Sequence, residues 1–453
     1  MSCANVGEAL RGSDQTPPGW QYADVKEASN GKLYSPPFNA EKTLEIDPVA
    51  GETRAIGEAF QGNGKYLVAE IARNGRIYSP PCSAVRTLEI DPSTGSTALI
   101  GDEIPDDQAN MKYRAIVMAR NGKLYSPPYS AGKVLEIDPE TRTACTIGPE
   151  LKGGGSKYLA AALADNGRIY AVPACADHVL EIDPSERSVC LIGEELPDPH
   201  ASWKKYGVVA AACGRLYAPP CYAKDVLEID PATRSVNLLG GDKLFTLQEH
   251  WNFNEKYWCI AMGGNGRLYS PPCDATRVLE IDPVARSVQF IGQELSEEVG
   301  KYWVAAAAPS GPCVYAAPYN AGQALEIDPA ENSVNLIGPD LTESRKSRKY
   351  QSMVACGDCI YAPPASSMKV LEIDPEARGV RCLAADFWQS AGMLNDWKKF
   401  TVAITASSNG RLYAPPNQRE DHVLEITPPR KRLRREGVTK DGDGTMGEAN
   451  LAP

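Results

Sequence analysis

The chain has 453 residues, 43% of them hydrophobic, with 36 Pro, 39 Gly, 20 Tyr, 13 Cys and only 4 His. That apolar content excludes a disordered chain, and no run approaches the ~18 apolar residues of a transmembrane helix. The net charge of −11 argues against general binding to nucleic acid or an anionic membrane.

The first predicted element is Ser2–Val6. With the Gly7-Glu8 that follows, it matches Ser188–Ile192 and Gly193-Glu194, and so reads as the fourth strand of a repeat displaced to the N-terminus. The repeat itself is marked by Leu-Glu-Ile-Asp-Pro starting at Leu44, Leu88, Leu135, Leu180, Leu227, Leu279, Leu325 and Leu371, and again by Leu424-Glu-Ile-Thr-Pro, at gaps of 44 to 53 residues. A Tyr precedes each by ten or eleven positions. The length that suggests three ordinary domains therefore holds nine copies of one unit.

Turn chemistry divides each copy into four strands, as in 112–148. Tyr113–Ala119 is apolar and ends at Asn121-Gly122, a strong two-residue hairpin signal. Lys123–Ser126 is stopped by Pro127-Pro128, which offers no donor to a ladder. Val134–Ile137 runs into the turn-forming Asp138-Pro139, and Ala144–Ile147 closes at Gly148. Four antiparallel strands per ~46 residues indicate a β-propeller blade. The ninth copy, Phe400–Ile426, has only three strands, which Ser2–Val6 would complete. The expectation is an all-β, single β-propeller over 1–427 with nine four-stranded blades, closed by its N-terminal strand; eight blades with one displaced copy is the alternative. Residues 428–453 form a separate polar tail.

Asn-Gly-Arg-Leu-Tyr and Leu-Glu-Ile-Asp-Pro resemble blades of the NHL/YVTN/SMP-30-like propeller group, with a kelch-like repeat length. The resemblance covers 1–426 and concerns the fold. It implies scaffolds, ligand binders and some lactonases or lyases alike.

Features shared by all blades point to geometry, and singular ones to function. The third-strand Glu (Glu45, Glu89 and their equivalents) recurs in all nine copies. In seven it faces a second-strand Lys or Arg and reads as a cross-strand pair. Cys313 and Cys359 interrupt that basic position. The channel-lining first strand begins with Lys65, Lys112, Lys157, Lys205, Lys256, Lys301, Lys349 or Lys399. These lysines would either form an anion site at the channel rim or pair with the acid that opens each preceding loop.

Loops between strands two and three share a face with the blade-joining loops, so binding is expected there. That face carries Trp20, Trp203, Phe245, Trp251, Phe253, Phe387, Trp388 and Trp397, either as a partner or ligand site or as plugs between blades. The four His lie at no ligand spacing, and Cys356-Gly-Asp-Cys359 lacks a second pair, so no metal, cofactor or catalytic set is expected.

In the tail, Arg430, Lys431, Arg432, Arg434 and Arg435 resemble a nuclear localisation signal. An odd Cys count and a start that is neither basic nor apolar predict free thiols and an intracellular setting, cytoplasmic or nuclear. The reading is a monomeric, non-enzymatic binding or scaffold propeller whose loop face engages a protein or small ligand. The alternative is an anion-binding or SMP-30-like hydrolytic propeller working through the Lys-rimmed channel.

Overall fold

A computed structural model describes residues 2–7, 10, 21–104, 111–197, 204–241, 255–341, 348–384, 399–417 and 422–429. The described residues form nine four-stranded sheets and no helix; eight have their strands in consecutive order, and the ninth joins the N-terminal strand to the last three. Blade three shows the plan: Val117–Met118, Leu124–Ser126, Val134–Asp138 and Thr143–Ile147, paired antiparallel throughout. Ser2–Val6 pairs with Val423–Thr427, from Ser2 opposite Thr427 to Val6 opposite Val423. The N-terminal strand thus completes the ninth blade, and nine rather than eight is the count.

The inner strand is shorter than its apolar run predicts. Blade three pairs only Val117 and Met118, apart from an isolated bridge between Tyr113 and Pro128. The cause is the proline pair after strand two, whose first member has no N–H to donate. Blades four and seven replace that first proline with Val172 and Ala317. Their inner strands lengthen to Tyr158–Leu163 and Tyr302–Ala307, with Ala160 opposite Val172 and Val304 opposite Ala317.

The apolar core is a set of layers between adjacent blades, not one centre. Tyr78 and Ile100 of blade two pack with Leu124, Leu135 and Ile137 of blade three, and equivalent clusters recur around the ring. Inner strands of adjacent blades approach one another and so surround the axis. At seven blade exits (Gly7, Gly57, Gly101, Gly148, Gly193, Gly292 and Gly338) a glycine meets the next blade's outer strand. Gly193 has φ +79, and a Cβ on it would lie 2.7 Å from Val236 Cβ. Both the left-handed backbone and the close approach require glycine.

The hairpin turns add polar ties between blades. Asn74 Nδ2 donates to its own Tyr78 hydroxyl at 3.1 Å and to the Pro139 carbonyl of the next blade at 3.1 Å. Asn409 makes the same bond to Pro48 at 2.8 Å, so the ninth blade is tied to the first. All thirteen cysteines are free thiols.

Candidate functional site

The recurring glutamates are buried, and each is held from several sides. Glu89 accepts from the Tyr78 hydroxyl at 3.0 Å, from Arg76 across the hairpin at 3.1 Å, and from Arg142 of blade three at 2.8 Å. The last contact was not legible as a cross-strand pair, because it comes from another blade. Arg142 sits at φ 54 in the turn before its outer strand, and that left-handed backbone aims the side chain backwards. Arg187, Arg234, Arg286 and Arg378 repeat the latch onto Glu136, Glu181, Glu228 and Glu326.

In blades one and six, where the following blade lacks this arginine, the outer strand of the same blade supplies a donor. Gly95 and Asn332 stand at the turn position for blades one and six, and Arg54 and Gln289 serve Glu45 and Glu280 instead. Blade eight uses Arg381 on Glu372. Cys313 and Cys359 are thereby accounted for: Glu326 and Glu372 keep an arginine although the hairpin partner is missing. Burial raises the Glu45 carboxyl, but hydrogen bonds from Arg54 and Lys32 outweigh it and hold the group below its ordinary range. The glutamate ring is joinery between blades.

The first-strand lysines take a related role on the opposite face. Lys157 donates Nζ to the carbonyls of Ser130 and Ala131 in the preceding blade, at 3.3 and 3.1 Å. Lys205, Lys349 and Lys399 reach Ala176, Asn320 and Ser367 at 3.0 Å each, and Lys301 reaches the Asp274 carbonyl at 3.4 Å. Lys65 donates to Gly62 in its own entry loop at 2.6 Å. The main chain follows the same path, with Lys157 N bonded to Tyr129 O and Lys157 O to Ala174 N. The loop after strand two leaves carbonyls without ladder partners, and the ammonium groups of Lys157, Lys205, Lys301, Lys349 and Lys399 reach them. Burial lowers the pKa of Lys65 and of Lys256 to about 8. Among the described loop acids, Glu58, Glu103, Glu150, Glu195, Glu294 and Asp340 are exposed. Arg86 and Arg277 of the loops pair with Glu103 and Glu294, both at 3.1 Å.

The residue two places after each lysine differs from blade to blade, and here the face becomes asymmetric. Blades six and seven carry Trp258 and Trp303, stacked at 4.8 Å between centroids and 20° between planes. Trp303 stacks in turn on Tyr319, the residue after the proline of blade seven, at 5.1 Å. Blade five has Gly207 at this position, where a Cβ would lie 2.6 Å from the Trp258 ring. Lys204 Nζ lies 5.0 Å from the Trp258 centroid, and Glu255 accepts the indole N–H at 2.6 Å. In blade three the matching pair is Arg114 over Tyr129, at 5.1 Å. The signal for this asymmetry in the sequence is the set of unlike residues that follows Lys-Tyr in blades two to eight.

The eight aromatic residues expected to form the partner site, Trp20, Trp203, Phe245, Trp251, Phe253, Phe387, Trp388 and Trp397, lie outside the described residues, as do Arg430, Lys431, Arg432, Arg434 and Arg435. Cys356 and Cys359 face each other across their hairpin, and burial raises both thiols. Among the described residues no group of three or more His, Cys, Asp and Glu side chains is arranged to hold a metal ion.

No family model matches the chain, and no curated protein is similar to it in sequence. Many solved structures share the fold. The propeller of Dos1 aligns at 11% identity over 80% of this chain and 92% of its own, with a TM-score of 0.51. Virginiamycin B lyase from Staphylococcus aureus aligns at 12% identity over 70% of this chain and 95% of its own, with a TM-score of 0.45. At these identities the likeness is one of fold alone, and the chain is a nine-bladed β-propeller.

Proposed function

We propose that this propeller is a binding or scaffold protein whose loop face engages a protein or small-ligand partner. The observation that carries the reading is the Trp258–Trp303–Tyr319 stack, which only two of the nine blades build at a position the others fill with unlike residues. Blade geometry is met without it, so it is surplus to the fold. The chain adds further aromatic residues at its borders: Trp203 directly precedes Lys204, and Trp251 and Phe253 precede Glu255. Trp and Tyr dominate the energetics of interfaces because they bury large area at small entropic cost. Replacing Trp251 and Trp388 with Ala is expected to weaken partner capture by the purified chain while thermal unfolding stays unchanged. Unaltered capture overturns the reading.

A further inference from the structure

The loop face already holds one ammonium group against an indole. Lys204 Nζ lies over Trp258, and Glu255 stands beside that ring, fixed by the indole N–H at 2.6 Å and by the Tyr222 hydroxyl. The Trp258 ring lies directly against the Gly207 backbone, where any side chain would collide with it. An aromatic face next to a carboxylate is a setting that selects ammonium or guanidinium groups. Lys204 fills it from the protein's own chain, on a four-carbon stem that can swing away.

Two further observations say what else the occupant carries. Trp303 stacks on both neighbours, yet its indole N–H donates to nothing among the described residues, so an acceptor such as a peptide carbonyl suits it. Of the charged groups around the stack, the carboxylates Glu255 and Asp274 both act on Tyr222, and Arg348 lies near Tyr319. Glu194 and Glu195, in the loop leading to Lys204, and Glu297, in the loop leading to blade seven, are exposed and have no ion-pair partner among the described residues.

We propose that the loop face receives a basic peptide segment of a protein partner. One Lys or Arg side chain of that segment takes the place of Lys204 between Trp258 and Glu255, and a backbone carbonyl accepts from Trp303. This rests on the loop-face reading above and adds the chemistry of the partner.

The test is a fluorescence-anisotropy titration of the full chain with a labelled Lys/Arg-rich dodecapeptide and an Asp/Glu-rich control of equal length. The basic peptide is expected to bind, and more weakly as salt rises. Glu255→Gln is expected to weaken it about tenfold, the equivalent of one charge-assisted contact. Trp303→Phe, which keeps the stack and removes the donor, weakens it by about threefold to tenfold. Lys204→Ala tightens binding by about threefold, because the competing ammonium is gone. A structural role for Lys204 gives the opposite sign, so weaker binding by Lys204→Ala overturns the proposal, as does equal binding of the acidic control. If Trp251→Ala abolishes partner capture while the basic peptide never binds, the face is right and its cationic occupant is wrong. If neither responds, the loop-face reading falls too.

Discussion

Arg142 in blade three and Glu89 in blade two are joined by two hydrogen bonds, at 2.8 and 3.2 Å, although 53 residues separate them in sequence. Blade one lacks this latch because Gly95 stands where the arginine would be, and Arg54 of its own outer strand binds Glu45 instead. The two arrangements are therefore alternatives for one requirement: a buried carboxylate needs more than its hairpin partner.

That equivalence gives a rescue experiment. Arg54→Ala is expected to destabilise the fold, since it withdraws a charged donor from a buried acceptor. Gly95 has φ 66, a conformation Arg142 adopts at φ 54, and a Cβ there would point at Glu45 Oε2 from 3.7 Å. Gly95→Arg in the Arg54→Ala background is therefore expected to recover most of the loss, while costing little or nothing alone. Urea denaturation of the four proteins in the cycle measures the coupling. Strict additivity overturns the equivalence.

The same network predicts the alkaline limit of stability. Burial, with the nearby glutamate, raises the hydroxyls of Tyr34, Tyr78, Tyr170, Tyr269 and Tyr413 to about 12. Their neutral form is favoured in the fold, so the stability they contribute is full below pH ~10 and is lost as pH rises towards 12. At roughly 2–3 kcal/mol each, several together reach the whole stability of a typical domain. Lys65 and Lys256, lowered to about 8, act in the other direction between pH 8 and ~10.5, where the unfolded chain binds more protons. Burial also lowers Lys157, Lys301 and Lys349, but it raises most of the remaining tyrosines too, so the tyrosines outnumber the lysines and the net expectation is cooperative unfolding above pH ~10, coincident with tyrosinate absorbance. Gradual titration of tyrosine in a chain that stays folded contradicts it.

Blade number, strand order and closure were legible in the sequence because each depends on local chemistry repeated nine times. Asn121-Gly122, Pro127-Pro128 and Asp138-Pro139 fix turns within a few residues, and Ser2–Val6 is recognisable as an outer strand by likeness to Ser188–Ile192. What passed unseen lies between blades. The arginine latch needs the twist that brings one blade's turn to its neighbour's third strand, and the carbonyl cups need the loop conformation after the proline pair. The Trp258–Trp303 stack was missed for a further reason. Pairing in the inner strand is irregular, with a register shift between Tyr158 and Ala160 in blade four, so period-two alternation does not say which side chain faces which way.

Gly193 tests how closely the outer strands must approach. A methyl group at this position meets Val236 at 2.7 Å and is forced into the left-handed region at φ +79. Gly193→Ala should cost about 1–2 kcal/mol for the backbone and a further 1–3 kcal/mol for overpacking. Adding Val236→Ala relieves only the second part, so partial recovery in the double variant is expected. Full recovery would mean that the backbone conformation is unstrained, and none would mean that the blades do not touch there.

Closure is the feature on which the whole ring depends, and it is held by two kinds of bond at different radii. At the outer edge Ser2–Val6 adds five residues of ladder to Val423–Thr427. Further in, Asn409 bonds Pro48 at 2.8 Å, and the Ser407 amide and hydroxyl bond Glu27 at 2.9 and 2.7 Å. Glu425 of this blade has neither latch, since Gly51 stands at the turn position and Ala4 on the outer strand, and it is the most exposed of the nine glutamates at 8%. Deleting residues 1–7 removes that ladder, uncovers the edge of Val423–Thr427 and leaves an unpaired strand open to association. The truncated chain is expected to unfold at lower temperature and to form concentration-dependent oligomers in analytical ultracentrifugation. Ala4→Arg, which copies Arg54 and Arg381, is expected to raise the midpoint of the intact chain by giving Glu425 its missing partner. If the truncation leaves both stability and association unchanged, the inner bonds alone close the ring.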